Sequence, residues 1–184
     1  MKKVPTYLFL CAVLLASCGQ NAASKKDSSN QTSNSKRELN FITITMSKLP
    51  STKHPIVLRT DFSNEDLWKT ICDEIMTPNP EFGFIPNVVF ASDTSFQDYT
   101  EEQLLSDSTT EYNHAFIFIV DKVAMINPEH PILCLGLQHN RGLKFRTIPS
   151  EMWGIENNLS ISNIDFEDIS GAVDNQGIFR GFKK

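Results

Sequence analysis

The amino-acid sequence predicts an α+β or α/β fold: a single domain over residues 41–184, with a mixed β-sheet of about four to six strands packed by helices. Three observations predict it. Short β-rich runs alternate with amphipathic helical stretches along the body. Ala115–Val120 is continuously apolar and Ile132–Leu137 nearly so, the pattern of strands covered on both faces. A body of about 140 residues can close a core without disulfide or metal staples.

Phe41-Ile42-Thr43-Ile44-Thr45-Met46 alternates with period two and predicts the first strand. Pro50 and Pro55 break the chain before a short β-rich run, Ile56–Thr60. Ser63 with Asp66 three residues on predicts an N-cap, and Leu67, Ile71 and Ile75 predict an amphipathic helix over 64–76. Met76-Thr77-Pro78-Asn79-Pro80 ends it. Phe84–Ala91 predicts another strand, and Thr100 with Gln103 a capping box opening a helix over 101–106. Asp121–Ile126 predicts a helical turn, stopped by Asn127-Pro128. After the second buried strand comes a turn at His139-Asn140-Arg141-Gly142, then an amphipathic strand over 143–148. Pro149 suits a first helical turn, so helices are expected over 151–157 and 166–173, with Trp153 and Leu159 on a core face. Asp174-Asn175-Gln176-Gly177 reads as a turn.

The N-terminus reads separately. Met1-Lys2-Lys3 followed by an apolar run of about 13 residues is too short to span a bilayer and suits the h-region of a signal peptide. It ends in Leu15-Ala16-Ser17-Cys18-Gly19, which resembles the bacterial lipobox. Small residues there let the chain enter a narrow peptidase site, and the Cys18 thiol is the local nucleophile able to carry diacylglycerol. The expected organisation is a signal peptide over 1–17, an acylated Cys18 with a flexible tether over 18–40, and the globular domain. Two or three acyl chains hold a protein on a membrane where one does not. No Asp follows Cys18, which favours the outer membrane in a cell that has one. Residues 21–40 hold five Ser, four Asn and no aromatic, so they bury too little apolar surface to fold, and as a coil span roughly 25 Å.

Charge separates along the chain. Residues 41–184 hold 11 Lys and Arg against 20 Asp and Glu, a net of −9. An acidic body repels a phosphate backbone, so nucleic acid is not the expected partner. With Cys11 removed and Cys18 acylated, Cys72 and Cys134 remain. Two separately buried thiols are the preferred reading, with one disulfide the alternative in an oxidising envelope. The absence of CxxC argues against a thioredoxin-like or zinc-cysteine site. His54, His114, His130 and His139 lack the spacing of a zinc set, and no metal or cofactor is expected. Thirteen Phe against three Tyr point to core packing ahead of stacking on a ligand.

Two segments are richer in polar and aromatic detail than packing demands. One is Leu58-Arg59-Thr60-Asp61-Phe62-Ser63, leading to Trp68. The other runs from Pro149-Ser150-Glu151-Met152-Trp153 through Glu156-Asn157-Asn158-Leu159-Ser160 to Asn163-Ile164-Asp165-Phe166, and closes at Gly177-Ile178-Phe179-Arg180-Gly181-Phe182. Together they resemble a small uncharacterised bacterial domain family over about Ile56–Phe182, which implies a domain and no mechanism.

The candidate functional surface comprises Arg59, Asp61, Glu156, Asn157, Asn158, Asp165 and Arg180. Asp61, Glu156 and Asp165 have the chemistry of general acids and bases, Arg59 or Arg180 that of anion stabilisers, and the two Asn suit a sugar or peptide. The structural alternative, which is preferred, has Asp61 and Ser63 capping one helix, Asn163 and Asp165 the next, and the arginines pairing with acids. In that reading Glu156 and Asn157 satisfy buried backbone groups.

Two function classes follow. The first is a monomeric envelope binding module with a protein partner, an immunity-type lipoprotein being one example, its acidic face steering a basic partner. The second is a tethered hydrolase using the carboxylates.

Overall fold

Residues 41–42, 48–107 and 111–182 are described by a computed structural model. The expected signal peptide, Cys18, the tether and the later residues of the first strand lie outside the described residues. The elements run β1 (Phe41–Ile42), β2 (Ile56–Arg59), α1 (Glu65–Ile75), β3 (Val89–Ala91), α2 (Glu101–Asp107) and β4 (Phe116–Val120). They continue α3 (Lys122–Ile126), β5 (Ile132–Gly136), β6 (Lys144–Thr147), α4 (Met152–Ser160), α5 (Phe166–Gly171) and β7 (Ile178–Phe179).

One mixed sheet has the order β1-β3-β2-β4-β5-β6-β7. The β1–β3, β3–β2, β2–β4 and β6–β7 pairs are parallel; β4–β5 and β5–β6 are antiparallel. This is the mixed sheet packed by helices that the sequence predicts, and two-residue strands at its edges bring the number to seven.

Side-chain alternation explains why β4 is apolar throughout. Phe116, Phe118 and Val120 enter a core layer with Trp68, Ile71, Ile155, Phe166 and Ile169. Ile117 and Ile119 point the other way, to a second layer with Leu58, Leu135, Phe96, Leu104 and Tyr112. Helices α1, α3, α4 and α5 thus cover one face, while α2 and the 3₁₀ turn Thr94–Phe96 cover the other. Buried Tyr112 links β2 to β4: its hydroxyl accepts from the Ile56 N–H and donates to the Phe116 carbonyl, both at 3.0 Å.

The capping box forms as expected. Gln103 Oε1 accepts from Thr100 N–H at 2.8 Å, and Thr100 Oγ1 from Gln103 N–H at 3.3 Å. Asp121 caps α3 by accepting from Ala124 N–H. Several local expectations change. The N-cap of α1 is Asn64, not Ser63: Asn64 is extended and its side chain accepts from Leu67 N–H. Asp61 instead accepts from Ser63 N–H in a turn ahead of the helix. Asp165 does occupy the N-cap position of α5 but makes no side-chain capping bond, and the Asn163 amide donates to Asn158. The strand expected over Phe84–Ala91 begins only at Val89, because Pro86 has no N–H to give a ladder. Pro149 opens a 3₁₀ turn, Pro149–Glu151, and the α-helix behind it runs on to Ser160.

Cys72 and Cys134 are both free and buried in the same core layer. Burial pushes both thiols well above the ordinary cysteine range. Among the described residues no helix is long and apolar enough to cross a membrane.

Candidate ligand-binding groove

Asn79 organises the first wall. Its side chain, nearly buried, accepts from the N–H groups of Glu81 and Phe82, each at 3.0 Å. Its backbone N–H donates to Phe84 O, and Gly83 N–H donates back to Asn79 O. This tight turn leaves no inward direction for the two aromatic side chains, and Phe82 and Phe84 are 53% and 57% exposed. Their rings stack at 6.3 Å and both lean on Trp153, at 5.5 and 5.3 Å.

Trp153 comes from α4, which sends Met152, Ile155 and Glu156 inward and turns Trp153 and Asn158 to the groove. The indole is therefore half-buried against the 82–84 loop and not on the core face expected for it. Its Nε1 is buried without a hydrogen-bond partner. Leu159, by contrast, does pack against the core.

The third wall is the C-terminal segment. The Asp174–Gly177 turn feeds β7, whose Ile178 and Phe179 are buried beside β6. Arg180, Gly181 and Phe182 then line the groove, with Phe182 52% exposed and edge-on to Phe179 at 5.0 Å. The groove has a volume of about 470 Å³, within the usual range of small-ligand sites.

Glu151 completes it. At the N-cap position of α4 it makes no capping bond. Its carboxylate has no hydrogen-bond or ion-pair partner among the described residues, and burial, with Glu81 nearby, raises its pKa above the ordinary glutamate range.

The candidate residues distribute over several places. Arg59 is buried at the end of β2, donating to Asp61 O and to Glu65, with its guanidinium 4.4 Å over the Phe62 ring and 5.5 Å from that of Trp68. Glu156 is buried, and its two oxygens accept from Asn87 N–H and the Ser160 hydroxyl. Asn157 is exposed and lines the same hollow as Glu156, so it does not satisfy a buried group as expected. Asp165 is exposed beside another hollow, near Phe166 and His139. Asn158 and Arg180 alone meet at the groove, with Asn158 donating to Gly154 O. Arg180 pairs with Glu129 and Asp174, the acid pairing expected of it.

Phe82 and Phe84 lie outside the dense segments the sequence marks, while Glu151 and Phe182 fall within them but outside the candidate functional surface. The available signal is Phe82-Gly83-Phe84 placed one residue after Pro78-Asn79-Pro80, two aromatic side chains set in a tight turn. Two of the four histidines are tied to backbone: His114 and His130 contact the carbonyls of Thr52 and Ala124. Among the described residues no three His, Cys, Asp or Glu gather as metal ligands do.

The groove is built mainly from two stretches that carry the family resemblance, 149–158 and 177–182. Comparison with curated proteins gives no match. Residues 54–182 match the family described as a domain of unknown function, DUF6924, and the chain belongs to that family.

Proposed function

We propose that this protein is a bacterial envelope lipoprotein, anchored through acylated Cys18, whose domain works as a monomeric binding module for a protein partner. The observation that carries the reading is the groove: Phe82, Phe84 and Phe182 stand more than half exposed around Trp153, whose indole N–H is unpaired. Large aromatic surface left in water marks a recognition site, and aromatic side chains are the commonest anchors of protein interfaces. The hydrolase reading gains no comparable support, because Glu156 has both oxygens engaged and Asp61 serves a turn.

A photo-crosslinking amino acid at position 84 of the full anchored chain tests the binding role. One discrete adduct that disappears with Phe82→Ala on the same chain is expected. No adduct, or one indifferent to Phe82→Ala, overturns it. For the anchor, radiolabelled palmitate is expected to enter the wild type and not Cys18→Ser; label in the variant overturns that assignment.

A further inference from the structure

We infer that the groove receives a lysine or arginine side chain of the partner, its cationic head between the Glu151 carboxylate and the Trp153 face; this rests on the groove being the binding surface. Three features converge on it. Aromatic faces carry negative quadrupole potential and hold cations within about 6 Å of the ring. Here Trp153 presents such a face with two further rings against it.

Glu151, half-buried and without a partner among the described residues, supplies a formal charge in the same space. A carboxylate in such a position is costly alone and gains most from a cationic hydrogen-bond donor.

The surrounding charge has the same sign. Among the described residues Arg180 is the one basic residue that lines the groove, and its guanidinium is committed to Glu129 and Asp174. Glu81 and Glu151, which also line it, are both acidic. An anionic ligand meets net repulsion there.

Uncharged saccharides leave the Glu151 charge uncompensated.

The test follows the two indole N–H signals of the mature acylated chain in detergent micelles, assigned with Trp153→Phe. The probes are N-acetyl-lysine methylamide, its uncharged norleucine analogue and N-acetylglucosamine. A saturable shift of the Trp153 signal by the lysine probe is expected, at least about tenfold tighter than norleucine and about tenfold weaker in Glu151→Gln, which keeps a cooperative melting transition. Equal binding of norleucine overturns the cationic assignment and leaves an apolar binding groove. A response to the saccharide alone does the same. Lys183 and Lys184 follow Phe182 directly in sequence. If the lysine probe moves the signal only in Lys183→Ala/Lys184→Ala, the occupant is one of the chain's own lysines and the partner assignment falls. Silence in both chains overturns this inference, while the position-84 crosslink decides the binding role by itself.

Discussion

A Cβ built on Gly181 stands 3.1 Å from Glu151 Oε2. A side chain at 181 would therefore press on the Glu151 carboxylate, which would have to give by a few tenths of an ångström, and at φ +92° the residue adopts a backbone that L side chains rarely take. Gly181→Ala combines both penalties and is expected to cost about 1–2 kcal/mol in urea unfolding. Gly154→Ala is the internal contrast. A Cβ there meets nothing within 4 Å, and the residue lies inside α4, so a gain of about 0.5–1 kcal/mol is expected.

Glu151 also sets a pH signature. Its raised pKa means the folded state holds a proton that the unfolded state releases, so its contribution turns unfavourable as pH rises above the ordinary glutamate value of 4.5. Glu81 and the acid-paired Arg180 are the charged groups beside it in the groove. Glu151→Gln is expected to gain stability relative to the wild type on going from pH 4 to pH 7 in parallel urea titrations. Glu65, Glu129 and Asp174 act oppositely. Hydrogen bonds from Arg59 to Glu65 and from Arg180 to the other two hold them below their ordinary values. Their contribution is complete above those values and is lost as pH falls through the lowered folded ones. The whole domain should weaken on the acid side.

Neighbouring positions on α4 separate structure from surface. Glu156→Ala leaves the Asn87 N–H and the Ser160 hydroxyl without their acceptor and is expected to cost about 1–3 kcal/mol. Asn157→Ala, on the exposed side, is expected to change stability by under about 0.5 kcal/mol. Denaturant midpoints read both.

Arg59 and Glu65 are unequal partners. The arginine side chain is 2% exposed and the glutamate 60%. Glu65→Gln keeps an acceptor for Arg59 and is expected to cost under about 1 kcal/mol. Arg59→Ala empties a site packed against Phe62 and Trp68 and is expected to cost about 2–5 kcal/mol. Thermal and urea unfolding of the two variants give the order.

Native-state thiol labelling checks the core. Cys72 and Cys134 are buried, and burial keeps both in the thiol form. No reaction with an aromatic disulfide reagent is expected at mildly alkaline pH until the chain is unfolded.

The sequence by itself determined the sheet-forming interior and most of the helices. Those are properties of periodicity and local capping: the unbroken apolar run of β4, the four-residue spacing of Leu67, Ile71 and Ile75, and the reciprocal bonds of Thr100 and Gln103 are each contained within a few neighbouring residues. Local detail misled where two short polar residues competed for one role, as Ser63 and Asn64 did, and where a strand was too short to show alternation, as with β7. The sequence also marked the 149–158 and 177–182 stretches as chemically dense. Only the tertiary structure decided what they are for. It separated Glu156 from Arg180, sent Arg59 into the interior, and brought Trp153 from α4 and Phe182 from the C-terminal segment to the turn that exposes Phe82 and Phe84. The reason is physical: whether an aromatic ring is core or groove depends on which distant segment covers it, and no pattern within one segment carries that information.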